Sequence, residues 1–225
     1  VQADYAELLA KSEPLLPELA AYYEEGDLPM VRHPFCYSVP HSQQMNALTN
    51  HRFRLMKEEI EDALAEEQFS RYIFLHERPY RLNAFLEVAD KLPCDEFSRL
   101  LASIYTDSEN IWQNEDTWRG LLARGIDQSV SMTDSEQQAL AALPDEITVY
   151  RGYAERGTAE GFSWTTDYDK ACWFAKRLAQ AGDACFVAEA TIPKNDVIWY
   201  FEGRGESEIV VASPEKYRIG FEGLE

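Results

Sequence analysis

The run Ile147-Thr148-Val149-Tyr150-Arg151-Gly152 is where the texture of this 225-residue chain changes. Before it, apolar residues recur at helical spacings; after it, they gather in short β-prone runs. The run is itself β-branched and aromatic, and it ends on an arginine and a glycine. Further strands are expected at 161–165, 185–192, 197–201 and 209–211, with a last one at 216–221. One helix interrupts them at 167–180, with Ala171, Phe174, Ala175 and Leu178 on one side and Gly182 ending it.

Working back from that point, helices are expected at 4–10, 46–71, 81–91, 95–105 and 116–124, the last ending at Gly125 as a C′ glycine. Thr133-Asp134-Ser135-Glu136 opens one more, with Thr133 as N-cap and Glu136 completing a capping box, and Pro144 stops it. Residues 28–40 hold Pro29, Pro34 and Pro40 between Phe35, Tyr37 and Val39 and read as an extended segment or loop. Helices first, then strands around one helix, define an α+β class with an antiparallel or mixed sheet. The expected division is a helical N-terminal region, 1–95, and a second domain, 96–225, with its motif core at 146–212.

Composition narrows the function classes. The formal net charge is −19. Residues 1–145 carry 12 basic and 26 acidic side chains, and residues 146–225 carry 9 and 14. An overall field of that sign repels phosphate, so nucleic acid would need a local basic groove. No stretch of about 18 uncharged apolar residues occurs, so no membrane span is expected. Val1 to Leu16 carries Asp4, Glu7 and Glu13 without a basic leader, and no signal peptide is expected. Cys36, Cys94, Cys172 and Cys185 are far apart and read as buried free thiols of a reducing cytoplasm. His33, His41, His51 and His76 lack metal-ligand spacing, so no metal is expected. Neither a Gly-x-Gly-x-x-Gly nor a Walker-type loop is present.

Three places in the C-terminal third carry chemistry: Tyr150-Arg151-Gly152, Phe162-Ser163-Trp164-Thr165-Thr166, and Gly205-Glu206-Ser207-Glu208-Ile209-Val210-Val211. Glu206 and Glu208 stand two apart at the start of an expected strand. Period-2 alternation would point both to one face, where like charges repel unless solvated or used. On spacing alone, the pair is either a site at a strand rim or two ordinary surface glutamates in a turn.

The order Arg, then Ser on a second strand, then Glu-x-Glu resembles the Arg–Ser–Glu signature of the arginine-type ADP-ribosyltransferases, the branch that includes cholera-like toxins and many bacterial and phage enzymes. Ser163-Trp164-Thr165-Thr166-Asp167 followed by Trp173-Phe174-Ala175, and 201–205 before the glutamates, resemble phage-associated members. The resemblance covers 146–212. Only eleven residues separate Arg151 from Ser163, fewer than in many toxins of the family.

The resemblance implies a split β-sandwich with helices and a mono-ADP-ribosyltransferase that uses NAD+ as substrate. Glu208 would be catalytic, Glu206 would orient or deprotonate the acceptor, and Ser163 would hold Glu208 by a hydrogen bond. Arg151 would grip a phosphate or ribose of NAD+, with Arg156 or Arg204 assisting. Gly152 would offer bare backbone to the nicotinamide amide. Tyr150, Phe162, Trp164 and Thr165 would complete the NAD+ site, and Tyr200 and Phe201 are candidate acceptor contacts. The acceptor implied is a macromolecule, protein arginine ahead of RNA or DNA. NAD+ hydrolysis without an acceptor, or a non-enzymatic interaction module on a dead transferase fold, are the alternatives. Such a protein would work as a toxin, effector or phage-encoded modifier in the bacterial cytoplasm, or in host cytosol if delivered, with an antitoxin or host factor as partner and 1–95 as recognition lobe or lid.

Overall fold

The computed structural model describes residues 5–109 and 111–224, apart from the side chain of Arg204. It is an α+β fold. In chain order the elements are α1 (Tyr5–Ala10), α2 (Pro17–Ala20), β1 (Tyr23–Glu24), β2 (Met30–His33), β3 (Cys36–Ser38), α3 (Asn46–Ala65), α4 (Phe69–Leu75), α5 (Arg81–Val88) and α6 (Cys94–Asp107). There follow α7 (Glu115–Leu122), α8 (Gln128–Ser131), α9 (Asp134–Ala142), β4 (Glu146–Ala154), β5 (Ser163–Thr165), α10 (Tyr168–Leu178), β6 (Cys185–Pro193), β7 (Val197–Phe201), β8 (Glu208–Val211) and β9 (Gly220–Leu224). Among the described residues, no helix is long and apolar enough to cross a membrane.

The described residues group into two compact units. One holds 5–92 with 104–109; the other holds 93–103 with 111–224, so α6 belongs in part to each. In the first unit, β1, β2 and β3 form a small antiparallel sheet where an extended segment was expected, and the helical N-terminal region is thus not all helix. Leu19, Val31, Cys36 and Phe53 form a buried apolar cluster there, with Leu15, Leu16 and Phe35 packed against them. Buried Asn50 ties the preceding chain down: its amide donates to Glu13 Oε1 (2.8 Å) and to the Pro14 carbonyl (2.9 Å), and its Oδ1 accepts from Leu16 N–H (3.0 Å).

The helix expected over 46–71 is two helices. Glu67 takes a left-handed φ of 56°. Gln68 N–H bonds the Ala63 carbonyl at 2.8 Å and Glu67 N–H bonds the Leu64 carbonyl at 3.2 Å. That pattern is a Schellman stop, built here on glutamate where glycine is the usual residue. Gly125 is not the stop of α7, which ends at Leu122 with Ala123 as its cap. Thr133 and Glu136 do form a reciprocal capping box at α9.

The second unit is built on a six-stranded antiparallel sheet in the order β7-β8-β5-β4-β6-β9. β4 is central, and its alternation puts Ile147 and Val149 into the core. α10 lies close on β4 because Gly152 has no side chain: a Cβ there would stand 1.8 Å from the Ala171 carbonyl oxygen. Buried Ala171 and Ala175 keep the helix side of that contact equally thin. β4 pairs with β6 from Glu146↔Pro193 to Ala154↔Cys185, whereas its described pairing with β5 is Tyr150↔Thr165 alone. The sheet therefore parts between β4 and β5 just past Tyr150, at Arg151.

β7 is an edge strand, and its outer side is covered. Gln128 Nε2 donates to the Val197 (2.7 Å) and Ile198 (3.1 Å) carbonyls, Trp199 Nε1 donates to Ser131 Oγ (3.0 Å), and Tyr200 N–H points to Met132 Sδ (3.2 Å). The α8–α9 segment thus occupies groups that would otherwise template another strand.

Candidate active site

The register places Thr165 between Tyr150 of β4 and Glu208 of β8. Alternation along β5 adds Ser163 to the face shared by Thr165 and Glu208. There the Ser163 hydroxyl donates to a carboxylate oxygen of Glu208 across 45 positions of sequence. Both side chains are half-buried, so the contact sits at the rim of the sheet and not in its core. A charged acceptor makes this bond stronger than a neutral one and fixes the carboxylate's direction.

Arg151 reaches the same strand from the other side of the parting. Its Nη1 donates to the Ser163 carbonyl at 2.7 Å and its Nε to the Thr158 carbonyl at 3.2 Å. Gly161 makes room for it, since a Cβ there would lie 2.4 Å from the guanidinium carbon. The guanidinium is thereby braced on backbone across the opening between β4 and β5. Arg151, Ser163 and Glu208, three of the four residues expected to be catalytic, come from three strands and meet through Ser163.

The fourth, Glu206, is differently placed from the sequence expectation. β8 begins at Glu208, so Glu206 is not on the strand and alternation does not set its direction. It lies in a turn, with φ −99° and ψ −15°, between Gly205 at φ 60° and Ser207 at φ 44°. A left-handed serine costs roughly 1–2 kcal/mol and persists only where neighbours hold it. Two neighbours do: Thr165 Oγ1 donates to the Glu206 carbonyl at 2.6 Å, and Thr166 N–H donates to the Ser207 carbonyl at 3.2 Å.

Several expected ligand contacts serve the frame instead. Thr165 is 5% exposed, and its hydroxyl also accepts from Asp167 N–H at 3.1 Å, joining the turn to the start of α10. Phe162 and Trp164 are both buried, at 4% and 2% exposure, so neither ring offers a face for stacking. The Arg119 guanidinium lies over Phe162, 5.3 Å from its centre, and Trp164 Nε1 donates to the Gly161 carbonyl at 2.8 Å. Gly152 is occupied by its contact with α10. Tyr200 and Phe201 are buried too. Arg156 is exposed and faces Asp183 at 3.6 Å, while the side chain of Arg204 lies outside the described residues.

Tyr150 belongs to a neighbouring feature that sequence reasoning missed. It packs edge-on against Tyr168, with ring centres 5.3 Å apart, and lines a cavity of about 360 Å³ with Val187, Glu189, Arg218 and Glu222. Tyr168 donates to Glu222 at 2.8 Å, and that bond pushes its phenol well above the ordinary tyrosine range. Its members come from β4, α10, β6, β9 and the segment just before β9, so no local motif announces it.

All four cysteines are free, but only Cys36 is buried; Cys94 is exposed, and Cys172 and Cys185 are half-buried. Among the described residues, no three His, Cys, Asp or Glu side chains gather as a metal site. Comparison of the chain with protein-family models, with curated proteins and with solved structures gives no match.

Proposed function

We propose that the second unit is a mono-ADP-ribosyltransferase of the arginine type, which cleaves NAD+ and passes ADP-ribose to a macromolecule, with protein arginine as the first acceptor class. The observation that carries this reading is the hydrogen bond from the Ser163 hydroxyl to the Glu208 carboxylate. One feature supports it: Arg151 is braced against the carbonyl of the same serine, beside the place where β4 and β5 part.

In this reading Arg151 binds a phosphate of NAD+ through its forked N–H groups. The bond between ribose C1′ and the nicotinamide nitrogen breaks, and its electron pair leaves with nicotinamide, which becomes neutral. The sugar passes through an oxocarbenium-like state. Glu208, aimed by Ser163, accepts a hydrogen bond from the ribose 2′-hydroxyl and stabilises the growing positive charge. A guanidino nitrogen of the acceptor then attacks C1′ and gives up its proton to Glu206.

Glu208→Gln tests the reading. Glutamine still accepts from Ser163, so the fold is expected to persist while NAD+ consumption falls by roughly 10²–10³-fold. Turnover equal to the parent's sinks the site. Incubation with labelled NAD+ and cell lysate, followed by separate protease and nuclease digestion, identifies the acceptor class. Label released only by nuclease means a nucleic-acid acceptor, and free ADP-ribose with no labelled macromolecule means a hydrolase.

A further inference from the structure

The cover over the edge strand β7 does not stop where the strand stops. Its last tie is Glu136, in the first turn of α9. One carboxylate oxygen of Glu136, Oε2, accepts from Thr133 N–H at 2.8 Å and from the Thr133 hydroxyl at 2.8 Å, which is the helix cap. The other, Oε1, accepts from Glu202 N–H at 3.1 Å. Ser135 Oγ stands 3.4 Å from the Glu202 carboxylate beside it. Glu202 is the first residue after β7, and four positions later comes Glu206.

The segment 202–207 is therefore held at both ends by different means. At its far end, buried Thr165 and the Thr166 amide hold the carbonyls of Glu206 and Ser207. At its near end, half-buried Glu136 holds the amide of Glu202. Between the two lie Gly203 and Gly205, the latter left-handed. The stretch makes a single tight turn, with Gly205 N–H bonded to the Glu202 carbonyl at 3.0 Å, and the place of that turn is set by the two anchors on either side of it. A capping box needs only one oxygen of its carboxylate for the helix, and here the second oxygen is spent on the turn.

We infer that Glu136 is a positioning residue for Glu206: it couples the cap of α9 to the turn that presents the second carboxylate. The inference rests on the proposed transferase reading, in which Glu206 serves the acceptor and Glu208 the cleavage of NAD+. Loss of the Glu136 anchor displaces Glu206 while leaving Glu208, which is held by β8 and Ser163. Transfer then falls and cleavage does not.

The experiment compares Glu136→Ala with Thr133→Ala in the full chain. Thr133→Ala removes the side-chain cap of α9 but keeps the bond from Glu136 to Glu202, so it controls for helix capping. In Glu136→Ala, transfer to an arginine-rich protein or to agmatine is expected to drop about tenfold, since small misplacements of a reacting group carry penalties of that order. Hydrolysis of NAD+ without acceptor stays within about twofold of the parent. Thr133→Ala moves neither rate. Amide exchange at 202–207, read by mass spectrometry, is faster in Glu136→Ala and unchanged in Thr133→Ala. Equal losses of transfer and hydrolysis in Glu136→Ala, or a 202–207 segment that exchanges no faster, overturn the inference. If the parent consumes no NAD+, the transferase reading fails by itself, and the exchange measurement still decides whether Glu136 anchors the turn.

Discussion

Ser163 contributes to the site with both of its ends: its hydroxyl donates to Glu208 and its carbonyl accepts from Arg151. A substitution that keeps the backbone removes the first contact and spares the second. Ser163→Ala is thus expected to lower NAD+ consumption by roughly 10–100-fold, less than Glu208→Gln, because the carboxylate remains but is no longer aimed. Its cost in stability is about 1 kcal/mol, the net worth of one partly exposed hydrogen bond. Steady-state rates together with urea unfolding check both halves. A rate loss matched by a collapse of the fold would assign the serine to structure alone.

At the scale of elements, the site depends on how closely α10 approaches β4. The carbonyl of Ala171 occupies the space a side chain at position 152 would need. Gly152→Ala must lift the helix off the sheet, and overpacking of that kind costs about 3 kcal/mol. A lowered urea midpoint is the expected result. The same substitution would carry Asp167 and Thr165 with the helix start, so NAD+ consumption is expected to fall as well. A glycine retained for a bare-backbone contact with nicotinamide would give the rate loss without the loss of stability. The two measurements together separate these roles.

At the scale of the molecule, acid is expected to act on the first unit. His33 is buried there against Phe35 and Phe53, and its Nδ1 faces Phe35 N–H at 3.4 Å. Burial and neighbouring His76 lower its pKa to about 4, with Glu18 opposing. An unfolded histidine titrates near 6.5, so between about pH 6.5 and 4 the unfolded chain holds a proton that the folded chain does not. Stability contributed by neutral His33 is complete above about 6.5 and declines as pH falls towards 4, by about 3 kcal/mol at most. Urea unfolding at pH 7 and pH 4.5 measures the decline. His33→Asn, whose carbonyl can take the place of Nδ1, is expected to flatten it; an unchanged pH slope in that variant removes His33 from the account.

Short-range features were legible in the chain itself. The strands and single helix after position 146, the bounds of β7 and the reciprocal cap of Thr133 and Glu136 each depend on residues within one or two turns of each other. So did the three motifs, because their residue types are unusual at strand ends. What lay beyond reach depended on partners distant in sequence. Glu67 ends α3 without a glycine to signal it, and Glu206 leaves the strand because Thr165 and Thr166 hold a turn open in front of Glu208. Phe162 and Trp164 alternate with Ser163 as an ideal strand requires, yet both are buried, since the core claims the large rings ahead of any pocket. Periodicity could nominate Glu208, but only the strand order could bring Ser163 to it: β5 lies beside β8 through tertiary pairing, and no local pattern records which strand will be a strand's neighbour.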